Sequence, residues 1–291
     1  MRFVAGASRT LLVLAPSKHA VPAHFGHPQA DPGRHKNLLD EMQRFRGRLY
    51  LEDGAIKPSQ LNEGRHCLEI DHESWHLLVL DRTGHICGCM RYREYEVGVR
   101  FSELEVSKSA PASSSEWNQS LRGAVEAERN LSKHLGRTIS EAGGWALDEE
   151  IRGTAEALRI ALATFALAQE LGDTIGISTV TQRHESASIL RRMGGQPLEF
   201  RGTQLPAYYD PQYDCQMEIL RFYSWALNPR YSIWIDEIKE QLRTAEVVTN
   251  GAVGPEWVAA IRSRPQAQEL RQTASAVWSG HTCRALLTNP A

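Results

Sequence analysis

The chain has 291 residues, of which 42% are hydrophobic and 23% charged, and its 33 Lys plus Arg against 35 Asp plus Glu leave a formal net charge of −2. This balance argues against proteins that coat nucleic acids or polybasic membrane-surface proteins, because both need a surplus of Lys and Arg to meet phosphates. No stretch reaches the roughly 18 apolar residues of a membrane span, and residues 1–16 hold only a short apolar centre, so we expect neither a span nor a secretory signal.

The five cysteines are odd in number and contain no C-x-x-C pair. This pattern predicts neither a disulfide framework nor a cysteine-based zinc site, and we expect a cytoplasmic protein. The length allows either two domains or one large domain with extensions.

The first half of the chain predicts an arm, a helix and a hairpin. Residues 3–35 are rich in Pro, Gly, His and Ala without a sustained period, which predicts an irregular N-terminal arm over residues 1–36. Apolar residues at helical spacing predict a helix over residues 37–51. Two short apolar runs, 75–80 and 85–92, flank a turn sequence and predict an antiparallel pair.

The second half alternates between helical and strand patterns. A capping-box spacing at 113–116 begins a helix that Gly136 ends. The remaining predicted elements are strands at 138–147, 174–180 and 215–222 and helices at 154–171 and 184–193. Hairpins early and alternating elements later predict one mixed α+β sheet over residues 37–222. Helical patterns at 233–248 and 255–262 predict a helical C-terminal extension over residues 223–291.

Residues 141–157 form the segment with the most chemical information. A strand, a short loop and the start of a long helix follow one another there, and Arg152 lies at the helix start. A helix start offers unpaired backbone N–H groups and a partial positive charge, and small residues let a pyrophosphate approach them. The segment therefore predicts an anion site.

This segment resembles the acyl-CoA signature of the GCN5-related N-acetyltransferase (GNAT) superfamily, Gln/Arg-x-x-Gly-x-Gly/Ala. Residues 152–157 match it, with Ala155 in the first Gly position, and Glu141 matches a Glu about eleven residues upstream. The resemblance implies a mostly antiparallel mixed sheet flanked by helices and an acyl-CoA or acyl-carrier-protein thioester as co-substrate, with no metal. It assigns the binding of that co-substrate to Leu147, Arg152, Gly153, Thr154, Ala155 and Ala157.

A finer resemblance concerns residues 69–71 and 84–91, which look like the autoinducer synthases and N-acyl amino acid synthases. The resemblance implies that Glu69, Asp71 and Arg91 shape the acceptor site. The third acidic position of the autoinducer synthase pattern is Ser74 here, which argues against a homoserine lactone product. Trp145 is expected to form an aromatic wall beside the pantetheine.

These assignments predict an N-acyltransferase that moves an acyl group directly from the thioester to a primary amine of a small molecule or peptide. Glu141 is the predicted general base, since a carboxylate near the acyl carbon can take the proton of the attacking amine. Backbone N–H groups around residues 145–147 are expected to hold the thioester oxygen as charge develops on it. The Tyr that many relatives carry on the short helix as general acid is absent.

Three other hypotheses arise from the same residues. Ala155, Glu156 and the missing Tyr also fit a non-catalytic protein that binds an acyl thioester or carrier protein. The pentad 72–76 matches the zinc motif H-E-x-x-H, but its second half runs into a strand pattern, where the two histidines would lie roughly 13 Å apart. Arg44, Arg46 and Arg48 fit either a docking surface for an acidic carrier protein or a solvated helix face.

Overall fold

A computed structural model describes residues 9–17, 21–22 and 24–251 of the chain. Most strands of this part belong to one sheet. The strands are β1 (Thr10–Leu14), β2 (His27–Ala30), β3 (Trp75–Leu80), β4 (Ile86–Tyr95), β5 (Thr138–Leu147), β6 (Thr174–Thr181), β7 (Gln196–Pro197), β8 (Glu199–Phe200), β9 (Thr203–Gln204), β10 (Tyr208–Asp210), β11 (Cys215–Tyr223) and β12 (Glu246–Thr249).

Helices cover both faces of the sheet. They are α1 (Pro32–Glu52), α2 (Ala110–Ser113), α3 (Asn118–His134), α4 (Ala155–Glu170), α5 (Ser186–Met193) and α6 (Ser232–Thr244). Helix α1 begins five residues earlier than its apolar spacing predicts, because Asp31 accepts a hydrogen bond from the backbone N–H of Arg34 and Pro32 fits the first turn. No helix in the described ranges is both long and apolar enough to cross a membrane.

The main sheet runs in the order β10-β11-β6-β5-β4-β3-β1-β12-β2, and β7 adds to β11. The pairs β5–β6, β1–β12 and β12–β2 are parallel, and the other pairs are antiparallel. The predicted fold class, a mixed and mostly antiparallel sheet flanked by helices, is confirmed.

Two segments, predicted to be an irregular arm and a helix, each contain a strand near one edge of the sheet. Strand β1 belongs to the stretch predicted to be an irregular arm, and it pairs with β3 and β12 with Leu11–Leu14 buried on both faces. The helix predicted over 233–248 ends at Thr244, and Val247 and Val248 extend the sheet beside β1. The predicted helix at 255–262 lies outside the described residues.

The two faces of the sheet carry separate cores. Helices α4, α5 and α6 pack against one face, which we call the α4 face, through side chains such as Leu162, Leu190 and Ile238. Helices α1 and α3 pack against the opposite face, the α1 face, through side chains such as Leu39 and Leu121.

Strands β5 and β6 pair only near their start and then separate. Their parallel register runs from Thr138 opposite Thr174 to Glu141 opposite Ile177. Beyond it the backbone N–H of Ala142 is bound by the Ser178 hydroxyl at 3.3 Å. On its other edge, β5 carries a bulge at Gly144, whose φ of +65° favours glycine. The bulge bends β5 away from β6, so the sheet opens at its centre.

Candidate active site

A cavity of about 240 Å³ passes through the opening between β5 and β6. Residues from both faces of the sheet line it, including Glu141 and Arg91 on the α1 face and Phe165 on helix α4. Paired residues of adjacent strands point to the same side of a sheet, so Arg91, opposite Gly143, shares its side with Glu141. The cavity therefore has a chamber on each face, and the two chambers meet where the strands separate.

The chamber on the α1 face, which we call the charged chamber, is built around a buried ion pair. Arg46 of α1 is 0% exposed, and its guanidinium donates to both carboxylate oxygens of Asp71 at 3.1 and 2.7 Å. Gln43 and the backbone N–H of Leu68 donate to the same carboxylate at 3.0 Å. Although burial alone would raise the pKa of Asp71, Arg46 holds that pKa below its ordinary value. Asp71, predicted as an acceptor residue, is thus engaged within the protein.

Arg91 lies beside this pair and makes no ion pair within the described residues. Its side chain is 7% exposed, and Nε and Nη1 find no hydrogen-bond acceptor in the part of the chain that the structure describes. Burial lowers the pKa of the guanidinium, and the nearby charge of Arg46 lowers it further. The charges of Asp71, Glu141 and Glu105 act in the opposite direction, so the charged chamber contains a buried cation that carboxylates influence without a direct ion pair among the described residues.

Two adjacent glycines make room for both arginines. A Cβ on Gly143 would lie 3.2 Å from Nη2 of Arg91, and a Cβ on Gly144 would lie 3.3 Å from Nη1 of Arg46. Both distances are shorter than most Cβ contacts, so a larger residue would push the guanidinium groups aside. The pair Gly143-Gly144 is therefore part of the site.

Glu141 lies on the floor of the charged chamber and is 4% exposed. The Tyr95 hydroxyl and the backbone N–H of Glu105 donate to its Oε2, and the backbone N–H of Val106 donates to Oε1 at 2.8 Å. Burial raises the pKa of the carboxyl more than these bonds lower it. Three of about four acceptor positions of the carboxylate are filled, which leaves one on Oε1.

The charged chamber contains three further polar side chains to which no sequence motif points. His66, Tyr50 and Tyr213 line the cavity from three separate segments. Burial lowers the pKa of His66 to about 4, so its imidazole is neutral at pH 7. These residues carry no local motif, and only the folded chain brings them together.

The chamber on the α4 face, which we call the apolar chamber, is lined mainly by carbon. Its wall includes Phe165, Ala168, Leu190 and Phe222, and Trp145 stands where the chambers meet. The expected role of Trp145 beside the pantetheine stays a prediction. Its indole Nε1 is buried and finds no acceptor among the described residues. The short helix α5 contributes Leu190 to the wall.

The predicted thioester-binding segment lies next to Asp53, a residue of the cavity wall. Arg152 donates from Nη1 and Nη2 to the carboxylate of Asp53 at 3.0 and 3.3 Å and from Nε to the carbonyl of Leu147 at 2.9 Å. Thr154 caps α4 by accepting from the backbone N–H of Glu156. Asp53 lines the cavity, so this ion pair links the helix start to the cavity wall.

The other members of the predicted segment surround this helix start. Gly153 has a φ of +71° with open space around it. Ala155 is exposed, and Ala157 is buried in the first turn of α4. Glu156, the acidic residue of the motif, forms an ion pair with Arg159 at 2.8 Å. Its charge is therefore compensated and does not oppose an anion at the helix start.

Other predicted residues lie away from the cavity. Glu69 is exposed and is not part of the cavity wall. His72 is exposed on a single 3₁₀ turn, whereas His76 lies on β3, as the strand pattern predicted, and its Nε2 bonds the carbonyl of Asp71 at 2.8 Å. Within the described ranges no group of three or more His, Cys, Asp or Glu residues is arranged to hold a metal ion.

The arginine cluster of α1 is divided by the fold. Arg44 and Arg48 are exposed, and Arg48 is bound to Asp148 at 3.0 Å. Arg46 is buried in the charged chamber. The interpretation of the three as one surface is therefore wrong, because the helix turns Arg46 toward the sheet.

No protein-family model and no curated protein matches this chain. Among solved structures, the CoA-dependent acyl-homoserine lactone synthase BjaI with SAM and isopentyl-CoA is 14% identical, with a TM-score of 0.49 over 87% of this chain and 99% of that one. FeeM, an N-acyl amino acid synthase from uncultured soil microbes, is 11% identical, with a TM-score of 0.42 over 74% of this chain and 92% of that one. An acyl-CoA N-acyltransferase from Pseudomonas aeruginosa is 12% identical, with a TM-score of 0.40 over 74% and 99%. These proteins are of the kinds that the sequence motifs resemble.

Proposed function

We propose that this protein is an N-acyltransferase that moves a medium or long acyl chain from a CoA or carrier-protein thioester to a primary amine. The observation that carries the proposal is the cavity through the sheet, which joins an apolar chamber to a charged one at the separation of β5 and β6. Burial in a carbon-lined chamber stabilises a bound acyl chain by about 0.8 kcal/mol for each CH₂ group. The charged chamber offers the polar groups that an amine requires.

The donor would enter at the mouth beside α4. Its phosphates would lie near the start of α4 and Arg152, where backbone N–H groups and a guanidinium favour an anion. Such a donor must compete with Asp53 for Arg152. The pantetheine would then follow the opening toward Trp145, and the acyl chain would fill the space beside Phe165 and Ala168.

The amine would attack from the charged chamber. An ammonium first loses a proton to become a nucleophile, and Oε1 of Glu141, with its remaining acceptor position, would take a proton directly or through one water. The C–N bond then forms and the C–S bond breaks. The thiolate takes up one proton, and the overall reaction releases one proton to solvent.

The first experiment measures thiol release by the purified protein with acyl-CoA donors of increasing chain length, acyl-carrier proteins and pooled amines. Amine-dependent thiol release with formation of an amide of the expected mass would support the proposal. Donor binding without release would instead favour the non-catalytic hypothesis, which the three hydrogen bonds on Glu141 also fit.

Glu141→Gln tests the base. We expect a fall of about 10²- to 10⁴-fold in turnover with donor binding retained, because general base catalysis contributes about that much. The Gln amide group would face donors from Tyr95 and the backbone, so the variant is assayed below its own melting temperature. Tyr95→Phe is the control, since it removes one of these donors and leaves the carboxylate. Unchanged turnover in Glu141→Gln would remove Glu141 from this role.

A further inference from the structure

We propose that the acyl chain of the donor carries a hydroxyl group in its distal part, and that the far end of the apolar chamber binds this group. The inference rests on the proposed acyl transfer and narrows the class of its donor. It depends on three buried hydroxyl side chains that line the cavity where β5 and β6 still pair, which we call the hydroxyl end: Ser140, Thr174 and Ser224.

The hydroxyl end lies on the same side of the sheet as the apolar chamber. Ser140 of β5 is opposite Gly176 of β6, and Gly176 is opposite Phe222 of β11. Paired residues of adjacent strands point to the same side of a sheet. Phe222 packs against Phe165 of α4, with 5.6 Å between the ring centroids. Ser140 therefore lies on the α4 face, in the wall of the apolar chamber.

Gly176 leaves the hydroxyl of Ser140 open to the chamber. A Cβ on Gly176 would lie 3.5 Å from Oγ of Ser140 and 3.3 Å from Cβ of Phe222, so a side chain there would cover the hydroxyl. Ser140 is 2% exposed, and its hydroxyl makes no hydrogen bond to another residue in the described ranges. An alkyl chain that covered this hydroxyl would leave it without any partner, which is costly.

The other two hydroxyls of this end have already given their protons to the protein. Thr174 donates from Oγ1 to the carbonyl of Thr138 at 2.9 Å, and Ser224 donates from Oγ to the carboxylate of Asp173 at 2.8 Å. Each oxygen keeps a lone pair that can accept, whereas Ser140 is free to donate. A hydroxyl group of a ligand both donates and accepts, so it can use both kinds of partner at once.

The charges around the cavity favour a neutral group at this end. The arginines that line the cavity belong to the charged chamber or to the turn after β6: Arg46, Arg91 and Arg183. A carboxylate at the chain end would therefore meet no cation in the wall of the hydroxyl end, and Asp173 lies directly behind Ser224. A neutral hydroxyl avoids this repulsion.

The position along the chain follows from the expected place of the thioester near Trp145. Trp145 and Ser140 are five residues apart on β5, and a strand rises about 3.3 Å per residue, so they are separated by roughly 15 Å. The bound hydroxyl therefore belongs to the distal part of a medium or long chain. A hydroxyl beside the thioester would lie at the opposite end of the chamber.

The test compares donors that differ only in one hydroxyl group. Acyl-CoA thioesters from octanoyl to tetradecanoyl are prepared unsubstituted, hydroxylated beside the thioester and hydroxylated at the terminal carbon. At one chain length or more, we expect the terminally hydroxylated donor to exceed both analogues by about tenfold in kcat/KM, because it alone pairs the buried hydroxyl. Unsubstituted donors used as well as hydroxylated ones at every length would overturn the inference and leave the proposed function standing.

Ser140→Ala makes the test specific. In this variant the terminally hydroxylated and unsubstituted donors should react within about twofold of each other, because the hydrogen bond is lost. Ser186→Ala is the matched control, since Ser186 also lines the cavity but begins α5, two residues after His184, which lies 3.4 Å from Asp53. The control should keep the preference. A preference that survives in Ser140→Ala would refute the inference.

Stability gives a readout independent of turnover. Ser140→Ala should melt within about 2 °C of the wild type, because its hydroxyl has no partner in the protein to lose. Ser224→Ala should melt several degrees lower, because it leaves the carboxylate of Asp173 and the backbone N–H of Thr174 without their partner. A loss in Ser140→Ala as large as that in Ser224→Ala would show that the protein itself holds the Ser140 hydroxyl, against the inference.

Binding separates the two proposals if no amine is acylated. Calorimetry then uses the same donors as unreactive thioether analogues. Tighter binding of the terminally hydroxylated analogue by the wild type, but not by Ser140→Ala, would support the hydroxyl end and reject acyl transfer. Equal binding of hydroxylated and unsubstituted analogues would reject the hydroxyl end, and binding of neither would reject both proposals.

Discussion

Replacing His76 with Gln should make the stability of the protein less sensitive to acid. His76 is 1% exposed on β3, its Nε2 bonds the carbonyl of Asp71, and its Nδ1 finds no partner among the described residues. A proton on Nδ1 would create a buried, unsatisfied N–H next to the positive charges of Arg46 and Arg91. Burial accordingly lowers the pKa of His76 from 6.5 to about 4.

The sign and size of the effect follow from this pKa. As the pH falls below 6.5, the unfolded chain takes up a proton at His76 but the folded protein does not until about pH 4, so stability is lost over that interval. The loss is about 1.4 kcal/mol per pH unit, or about 3 kcal/mol in all. His76→Gln keeps an N–H donor near the Asp71 carbonyl and cannot be protonated.

Urea denaturation at pH 7.5, 6.5, 5.5 and 4.5 provides the measurement. The wild-type free energy of unfolding should fall faster than that of His76→Gln below pH 6.5, and the two curves should run parallel above pH 7. His66, whose pKa burial also lowers to about 4, contributes equally to both proteins and cancels in the comparison. Parallel curves down to pH 4.5 would show that the buried imidazole accepts its proton without cost, and the reasoning would fail.

Three further changes test separate parts of the cavity. Ala168→Leu fills part of the apolar chamber. The kcat/KM for the longest acyl chains should therefore fall by about fourfold for each CH₂ group that no longer fits, while the values for short chains stay unchanged. A uniform fall across chain lengths would contradict this expectation. Asp53→Asn frees Arg152 from its carboxylate, so the KM for acyl-CoA should fall by up to about fivefold, and a higher KM would show that Asp53 orders this part of the site. Asp71→Asn leaves Arg46 unpaired and should lower the free energy of unfolding by about 3–5 kcal/mol in urea titrations. If the variant instead keeps the wild-type stability and has a raised KM for the acceptor, Asp71 contacts the acceptor.

The sequence predicts the elements around the opening but not the edge of the sheet. The apolar pattern of 154–171 and the strand at 138–147 are local signals, and both elements form as predicted. Strand β1 is five residues long, and it forms by pairing with strands that include β12, more than 230 residues later along the chain. A short apolar run does not reveal such a distant partner, so the local pattern of Thr10–Leu14 predicts only an arm.

The same distinction holds within the site. The motif at residues 84–91 points to Arg91, and Arg91 lines the cavity, while its role toward an acceptor stays a prediction. The sequence pattern groups Arg46 with Arg44 and Arg48, because charges at alternate positions of a helix usually face water. Its burial depends on Asp71, 25 residues along the chain, which no local pattern links to it.

Gly143 and Gly144 connect the fold to the chemistry. Two glycines within a strand weaken it, since glycine loses much conformational freedom and packs no side chain. Here the positive φ of Gly144 creates the bulge that bends β5, and the absence of both side chains admits two guanidinium groups to the opening. Alanine at Gly143 would keep the backbone geometry but press on Arg91, whereas alanine at Gly144 would also strain the bulge. The residues that cost the strand stability are thus the ones that open the sheet and make room for Arg46 and Arg91.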